Sequence, residues 1–503
     1  MTVASIEAGT RFPEFDAEQS YSMIIDGEHV AAADGRTFRC LDPFEDAEWG
    51  YVPIATEADV DRAVAAARRA FPAWADTSPW ARLEIFLRWS ALLREHSAEL
   101  ARLQVHENGK TITEMTLAAG SLAASLDHLA QSALSIHGAT VAPVMPGHEA
   151  WSVRVPLGVV GAIAPWNNPL GLLASKLFPA LVSGNTIVIK PSEVTPVSTI
   201  RLVELAHEAG VPAGVVNVVT GDGAVGAALS NHPDLDKVAF TGSSATGRKV
   251  AEAAGRNLAR VTLELGGKGA NIVFADADIP HAVEGLATGI LAGTGQACNA
   301  GSRIFLHEDV REEVLEKLKA RLAAVRIGDP LDPTNEIGPL ASRAQYRKVT
   351  GYFQVAADEP STSLIQGARK GTEIPDVAAG LFVEPTLVDT PDRNSRLRRE
   401  EIFGPVASVI TFRTEDEVVA AANDTEFGLV SGLWTRDLDR ARRVSKRLDT
   451  GVVWINTWRA FSGNVPFGGR KASGIGHELG LDPFADYTEL KAVWLGPDQS
   501  GPA

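Results

Sequence analysis

The stretch Val155-Pro-Leu-Gly-Val-Val-Gly-Ala-Ile-Ala-Pro165 carries no charge, yet Gly and Pro interrupt it. A membrane span needs about 20 apolar residues in a row, so this run reads instead as a strand buried on both faces. Working outward, short apolar runs recur at Thr186–Ile189, Val215–Val219, Lys237–Phe240 and Ala270–Phe274, separated by stretches of helical patterning. Strands alternating with helices predict an α/β fold, a parallel sheet covered by helices on both faces. A second alternating block runs from about Gly301 to Trp454. Upstream, residues 57–135 read as helices, opened by Glu57-Ala58-Asp59 and patterned at helical period through Ala63–Ala70 and Ala81–Leu103. Residues 1 to about 20 read as a loose tail. Two segments fit neither block: Ala139–Pro156 suggests a hairpin around Pro146-Gly147, and Tyr487–Leu495 a terminal strand. Each needs a sheet to join, from its own chain or a neighbour's.

At 503 residues the chain exceeds what one hydrophobic core usually supports, so two or three domains are expected. A formal charge of −16 repels phosphate backbones and anionic bilayers, so neither nucleic acid nor membrane is an expected partner. Small anionic ligands answer to local fields and stay open. Cys40 and Cys298 are the two cysteines, too few for a disulfide scaffold or a four-thiolate zinc site. With an N-terminus that lacks a basic start and an apolar run, this gives the cytoplasm as the expected location. No His/Cys cluster has ligand spacing, so no metal is expected.

Cys298 lies in Gly295-Gln-Ala-Cys-Asn-Ala-Gly-Ser-Arg303. A lone cysteine is more often an apolar filler than a nucleophile, and that reading suits Cys40 in Phe38-Arg-Cys-Leu-Asp-Pro-Phe44. Gly, Gln, Asn and Ser around Cys298 make no greasy pocket. A substrate can approach that thiol, and the backbone N–H beside it can face an oxyanion. Glu264, between Leu263 and Leu265, is set for a raised pKa and general-base work, with a salt bridge to Lys268 as the plain alternative. A third reading makes it a ribose-binding acid. Phe240-Thr-Gly-Ser-Ser-Ala-Thr-Gly247 has the look of a dinucleotide loop and ends 17 residues before Glu264, but its G-x-x-x-x-G spacing departs from G-x-G-x-x-G. Pro165-Trp-Asn-Asn-Pro169 offers the Asn167 amide at a strand's C-terminal end, or is simple turn chemistry. Ile189-Lys-Pro-Ser-Glu193 ends a strand with a cation and an acid suited to phosphate or ribose, or is a solvated turn.

Together with Glu400-Glu-Ile-Phe-Gly-Pro405 and the Pro466–Gly480 segment PFGGRKASGIGHELG, these motifs resemble the aldehyde dehydrogenase superfamily in order and spacing, including 34 residues between Glu264 and Cys298. The resemblance covers about residues 20 to 495. It implies Cys298 as nucleophile, Glu264 as the base that activates water, and the Asn167 side chain with the Cys298 N–H as oxyanion hole. It further implies Lys176 and Glu478 as a proton-relay pair. Trp166, Lys190, Glu193, Gly223, Gly242, Ser243, Leu265, Glu401 and Phe403 would contact NAD, with NADP possible; the ribose acid thereby becomes Glu193 and not Glu264.

The implied fold is aldehyde dehydrogenase-like: a Rossmann-type cofactor domain (1–138 and 157–265), an α/β catalytic domain (266–483) and a small β oligomerisation element (139–156 and 484–503). A homodimer or homotetramer is expected, its isolated strands extending a neighbouring subunit's sheet. The implied reaction turns a small-molecule aldehyde into the free acid. A semialdehyde dehydrogenase acylating coenzyme A is the alternative, although such branches usually lack the base that Glu264 supplies; a non-enzymatic lens-type crystallin would be expected to lose Cys298 or Glu264. Asn168, Leu172, Ser175, Ala297, Asn299, Trp458, Arg459, Phe461 and Phe467 would line the aldehyde tunnel. Asn168 and Ser175 stand where relatives that favour small aldehydes often carry aromatics, so the tunnel should be wider and more polar. A medium-sized aromatic or aliphatic aldehyde is expected, and Arg459 could grip a semialdehyde's carboxylate.

Overall fold

The computed structural model describes residues 11–497 apart from 13, 14, 144, 376, 378 and 481. The first half of the expected N-terminal tail, 1–10, and residues 498–503 of the expected oligomerisation element lie outside them.

The opening stretch forms the strand Val159–Ile163, buried along its whole length. It sits between Thr186–Lys190 and Lys237–Thr241, parallel to both. Val216–Val218 lies beyond the former and Arg260–Glu264 beyond the latter, also parallel. The chain thus winds outward from Val159–Ile163 first to one side and then to the other. The crevice between the two directions opens at the strands' C-terminal ends, where such sheets bind ligands. Short antiparallel strands complete the edges: Met23–Ile25 with Glu28–Val30 on one side, Gly474–Ile475 on the other. The expected boundaries allot Gly474–Ile475 to the catalytic unit, yet it pairs with Leu263 and Glu264 of the first sheet.

Helices Glu57–Asp76, Pro79–Glu95, Ser97–Asn108 and Ile112–Ser132 occupy the region read as helical. Thr56 and Asp59 form a capping box at the first of these, which fixes its start.

A second sheet is built on Ala270–Val273, flanked in parallel by Arg303–His307 and Val430–Trp434. Val406–Phe412 and Thr386–Asp389 extend it one way, Val452–Ile455 the other, and Ser363–Gln366 closes an edge antiparallel. The segments entering the strands at Ala270, Arg303 and Val406 are the ones bearing Gly267, Cys298 and Glu401. The N-terminal ends of this sheet therefore face the C-terminal ends of the first.

The two unplaced segments join each other. Glu149–Pro156 pairs antiparallel with Thr140–Val141 and, over eight residue pairs, with Thr488–Leu495. The terminal strand finds its first partner within its own chain.

Candidate active site

Cys298 rides on a loop shaped by three consecutive left-handed residues, Gly293, Thr294 and Gly295 (φ 60°, 57° and 68°). At Gly295 a side chain would fail twice: the backbone is left-handed, and a Cβ would lie 2.3 Å from the Gly404 carbonyl carbon. Gln296, fully buried, locks the loop. Its Oε1 accepts from the Ala341 N–H at 2.9 Å, its Nε2 donates to the Gly293 carbonyl at 3.1 Å, and its own carbonyl accepts from Asn167 Nδ2 at 3.0 Å. Across the site a Cβ on Gly267 would lie 2.4 Å from the Cys298 carbonyl oxygen, so Gly267 lets the segment carrying Glu264 close on Cys298.

Asn167 is buried, and an amide has two N–H donors, so one remains for a substrate oxygen while the other holds Gln296. The Cys298 N–H makes no backbone hydrogen bond with another described residue. Burial pushes the Cys298 thiol up to about 12; Glu264 and Glu401 add to this, while Arg459 and the Asn299 N–H oppose it. The resting group is a thiol at neutral pH.

Glu264 ends the strand Arg260–Glu264. Neither of its carboxylate oxygens has a hydrogen-bond partner among the described residues. Burial raises its pKa well above the usual carboxylate value, the Glu478 charge adds to that, and Lys176 opposes it. The plain alternative is corrected here. Glu264 forms no salt bridge with Lys268, whose ammonium is buried without a hydrogen-bond partner among the described residues and brought down to about 7 mainly by burial. Beyond burial, the charges that act most on Lys268 are Arg303, which lowers it, and Glu401, which raises it; Glu264 is not among them. Lys176 and Glu478 do meet, in a buried ion pair; Ser175 Oγ donates to the other Glu478 oxygen at 2.5 Å.

Every expected cofactor contact lines one of two cavities that share Trp166, Gly242 and Ser243 in their walls. The larger, about 620 Å³, opens over Lys190, Glu193 and Gly223. The smaller, about 170 Å³, leads past Leu265, Glu401 and Phe403 to Asn167 and Cys298. Between them the helix Ser244–Arg256 presents its N-terminus, with Ser243 capping the Thr246 N–H. Such an end favours a phosphate through its free N–H groups and dipole. Lys190 Nζ lies 3.4 Å from Glu193 Oε2, leaving the half-exposed acid available to hydroxyls. Trp166 and Phe403 meet edge to face with centroids 5.3 Å apart. Phe403 has φ 60°, rare for a bulky residue, and its carbonyl accepts from Gln345 Nε2 at 2.6 Å. Glu401 accepts from the Gly267 N–H at 2.9 Å. The groove's shape, helix terminus and paired cation and acid fit a dinucleotide.

Sequence reasoning missed Gln345 and Lys348, which line the smaller cavity from the helix Arg343–Asp358, and Lys249, which lines the larger. None stands in a motif; only tertiary packing brings them in. Among the described residues no cluster of His, Cys, Asp or Glu is placed to hold a metal, and no helix is long and apolar enough to cross a membrane.

A thiol at the inner end of a groove shaped for a dinucleotide is the arrangement that a nicotinamide-dependent oxidoreductase needs. The family model for the aldehyde dehydrogenase family matches residues 29–493. A betaine aldehyde dehydrogenase of Rhizobium leguminosarum bv. trifolii is 42% identical, covering 95% of this chain and 98% of that one. A putative aldehyde dehydrogenase from Burkholderia cenocepacia superposes with TM-score 0.93 at 43% identity, over 97% of this chain and 99% of that one. PnpE of Pseudomonas sp. WBC-3, solved in complex with nicotinamide adenine dinucleotide, gives TM-score 0.92 at 43% identity, over 95% and 98%. This chain belongs to the aldehyde dehydrogenase family. It is an NAD-dependent oxidoreductase acting on aldehydes.

Proposed function

We propose that the enzyme releases a free carboxylic acid through a thioester on Cys298, hydrolysed by water that Glu264 activates. The observation that carries this is Glu264: a buried carboxylate with no hydrogen-bond partner among the described residues, acting electrostatically on the Cys298 thiol. Loss of the thiol proton gives a thiolate that bonds to the aldehyde carbon, and the carbonyl oxygen becomes an oxyanion held by Asn167 Nδ2 and the Cys298 N–H. Donors of this kind typically contribute about 2.7–4 kcal/mol each. NAD supplies the two-electron acceptor that allows the adduct to become a thioester. Glu264 then takes a proton from water as its oxygen bonds to the thioester carbon. The C–S bond breaks, the acid leaves, and Lys176 with Glu478 offers the adjoining path for the proton. Acid and NADH should form in equal amounts without coenzyme A. A requirement for coenzyme A, or an acyl-coenzyme A product, would overturn the reading.

Preference for NAD over NADP belongs to the same proposal. A 2′-phosphate would meet the Glu193 charge, while Lys190 and Lys249 on the same groove keep the preference modest. Glu193→Ser should shift the ratio of kcat/KM values towards NADP; parity in the unmodified enzyme would contradict the assignment.

For the domains we propose 1–138 with 157–265 as the cofactor unit, 266–483 as the catalytic unit and 139–156 with 484–503 as the oligomerisation element. The support for the last is exposed apolar surface on the small sheet: Val141, Leu490, Trp494 and Leu495 are all more than half exposed. Light scattering should report a dimer or tetramer, and truncation after Pro483 should free strand edges and cause aggregation. A well-behaved full-length monomer would refute it.

A further inference from the structure

Oxidising an aldehyde needs no cationic side chain beyond neutral oxyanion donors, yet Lys110 rests against the loop that bears Cys298, and the loop of Arg459 packs on the segment that follows Cys298. Lys110 follows the helix Ser97–Asn108 and is 6% exposed. Its Nζ lies 2.8 Å from where a Cβ on Gly293 would sit, so the ammonium rests against the loop that bears the nucleophile. Arg459 follows Trp458, whose ring comes within 3.0 Å of a Cβ position on Gly301 and packs beside Trp454 with centroids 5.0 Å apart. Trp454 Nε1 donates to the Ala460 carbonyl at 3.0 Å. These contacts seat the Arg459 loop on the segment that follows Cys298. Arg459 itself is left-handed, φ 59°, a conformation that non-glycine residues adopt sparingly and that clusters at ligand sites.

Most arginines of this acidic chain are ion-paired. Among the described residues, however, no hydrogen bond or ion pair holds either the Lys110 ammonium or the Arg459 guanidinium. Glu114, the carboxylate that acts most strongly on Lys110, turns an oxygen onto the Gly293 N–H at 2.7 Å. Burial lowers Lys110 to about 8, which leaves it mostly protonated at neutral pH; Arg459 also lowers it, and the same Arg459 lowers the Cys298 thiol. The three groups therefore share one electrostatic neighbourhood. A cavity of about 500 Å³ is lined by Phe461, Ser125, His128 and Asn464, with no carboxylate among its described lining residues.

We propose that the aldehyde carries a carboxylate at its far end, a semialdehyde of a dicarboxylic acid, and that Lys110 and Arg459 hold that carboxylate while the carbonyl carbon meets Cys298. This rests on the thioester reading for the reaction itself. Charge-assisted hydrogen bonds to a carboxylate are the strong ones, and a guanidinium can make two at once. An aldehyde ending in a quaternary ammonium would meet like charge at the same place.

The test compares aldehydes of matched length ending in carboxylate, methyl or trimethylammonium, at saturating NAD and over several lengths. The carboxylate series should have the highest kcat/KM, by about tenfold or more over methyl, and its advantage should shrink as salt is added. Arg459→Gln should lower the carboxylate-to-methyl ratio by about 10- to 100-fold, and Arg459→Lys should restore part of it. Lys110→Met should lower the same ratio; because Lys110 packs on the nucleophile's loop, its melting temperature is read alongside. A purely structural role would depress both aldehydes alike and leave the ratio unmoved. An unchanged ratio in Arg459→Gln, or a wild-type preference for methyl or trimethylammonium, overturns the proposal and leaves the reaction reading intact. NADH from none of the three overturns both.

Discussion

Cys298→Ala should abolish aldehyde oxidation while leaving the fold and NAD binding in place. A free aldehyde does not part with hydride readily, and the covalent adduct is what makes the carbon tetrahedral with a charged oxygen upon it. Removing the nucleophile from comparable sites costs on the order of 10⁴-fold or more, the residue being what binding and the oxyanion donors can do alone. The loop should survive, because Gln296, Thr294 and Gly295 hold it and the thiol does not. Thr294 Oγ1 donates to the Gly338 carbonyl at 3.0 Å, and Gln296 makes three bonds of its own. The measurements are NADH formation over hours, melting temperature, and NAD binding by fluorescence quenching. Activity within about tenfold of the parent enzyme would mean that the thiol is not the nucleophile.

The parallel sheets were legible because their strands are buried on both faces and must be apolar throughout, as Val159–Ile163, Thr186–Lys190 and Lys237–Thr241 are. The two-residue strand Gly474–Ile475 carries no such signal, since its pairing with Leu263 and Glu264 is set by the surrounding tertiary structure. Site residues were legible where a motif also constrains backbone. Gly267 must be small to pass the Cys298 carbonyl, and Gly295 must be left-handed, so Glu264 and Cys298 each stand beside a constrained glycine in a recognisable block. Lys176 and Glu478 emerged only through the family resemblance, because an ion pair joining a helix to a distant strand leaves no local pattern. Lys110, Gln345 and Lys348 were missed for the same reason. The sequence offered a Glu264–Lys268 bridge on proximity alone; in the fold each is buried with no hydrogen-bond partner among the described residues, Glu264 feeling the charge of Glu478 and Lys268 those of Arg303 and Glu401.

Glu264→Gln should uncouple the two halves of the reaction. If Glu264 acts in deacylation, the amide leaves attack by Cys298 and reduction of NAD possible, but cannot take a proton from water. Rapid mixing should then show a burst of about one NADH per active site, followed by turnover slowed by about 10²–10⁴-fold, the usual worth of a general base. Intact-mass spectrometry of the quenched variant should find the acyl group attached, and Cys298→Ala should abolish both burst and adduct. The pH profile adds a second readout with a definite sign. Burial and the Glu478 charge raise the pKa of Glu264, so in the parent enzyme it is protonated and idle at low pH and becomes a base as pH rises through that elevated value. Deacylation should therefore climb with pH in the parent, and that limb should vanish in Glu264→Gln. The thiol complicates only the speed of the burst. With Cys298 pushed up to about 12, any help that Glu264 gives in removing its proton would slow the burst without reducing its amplitude. Full steady-state turnover in Glu264→Gln, or a burst that persists in Cys298→Ala, would reassign both residues.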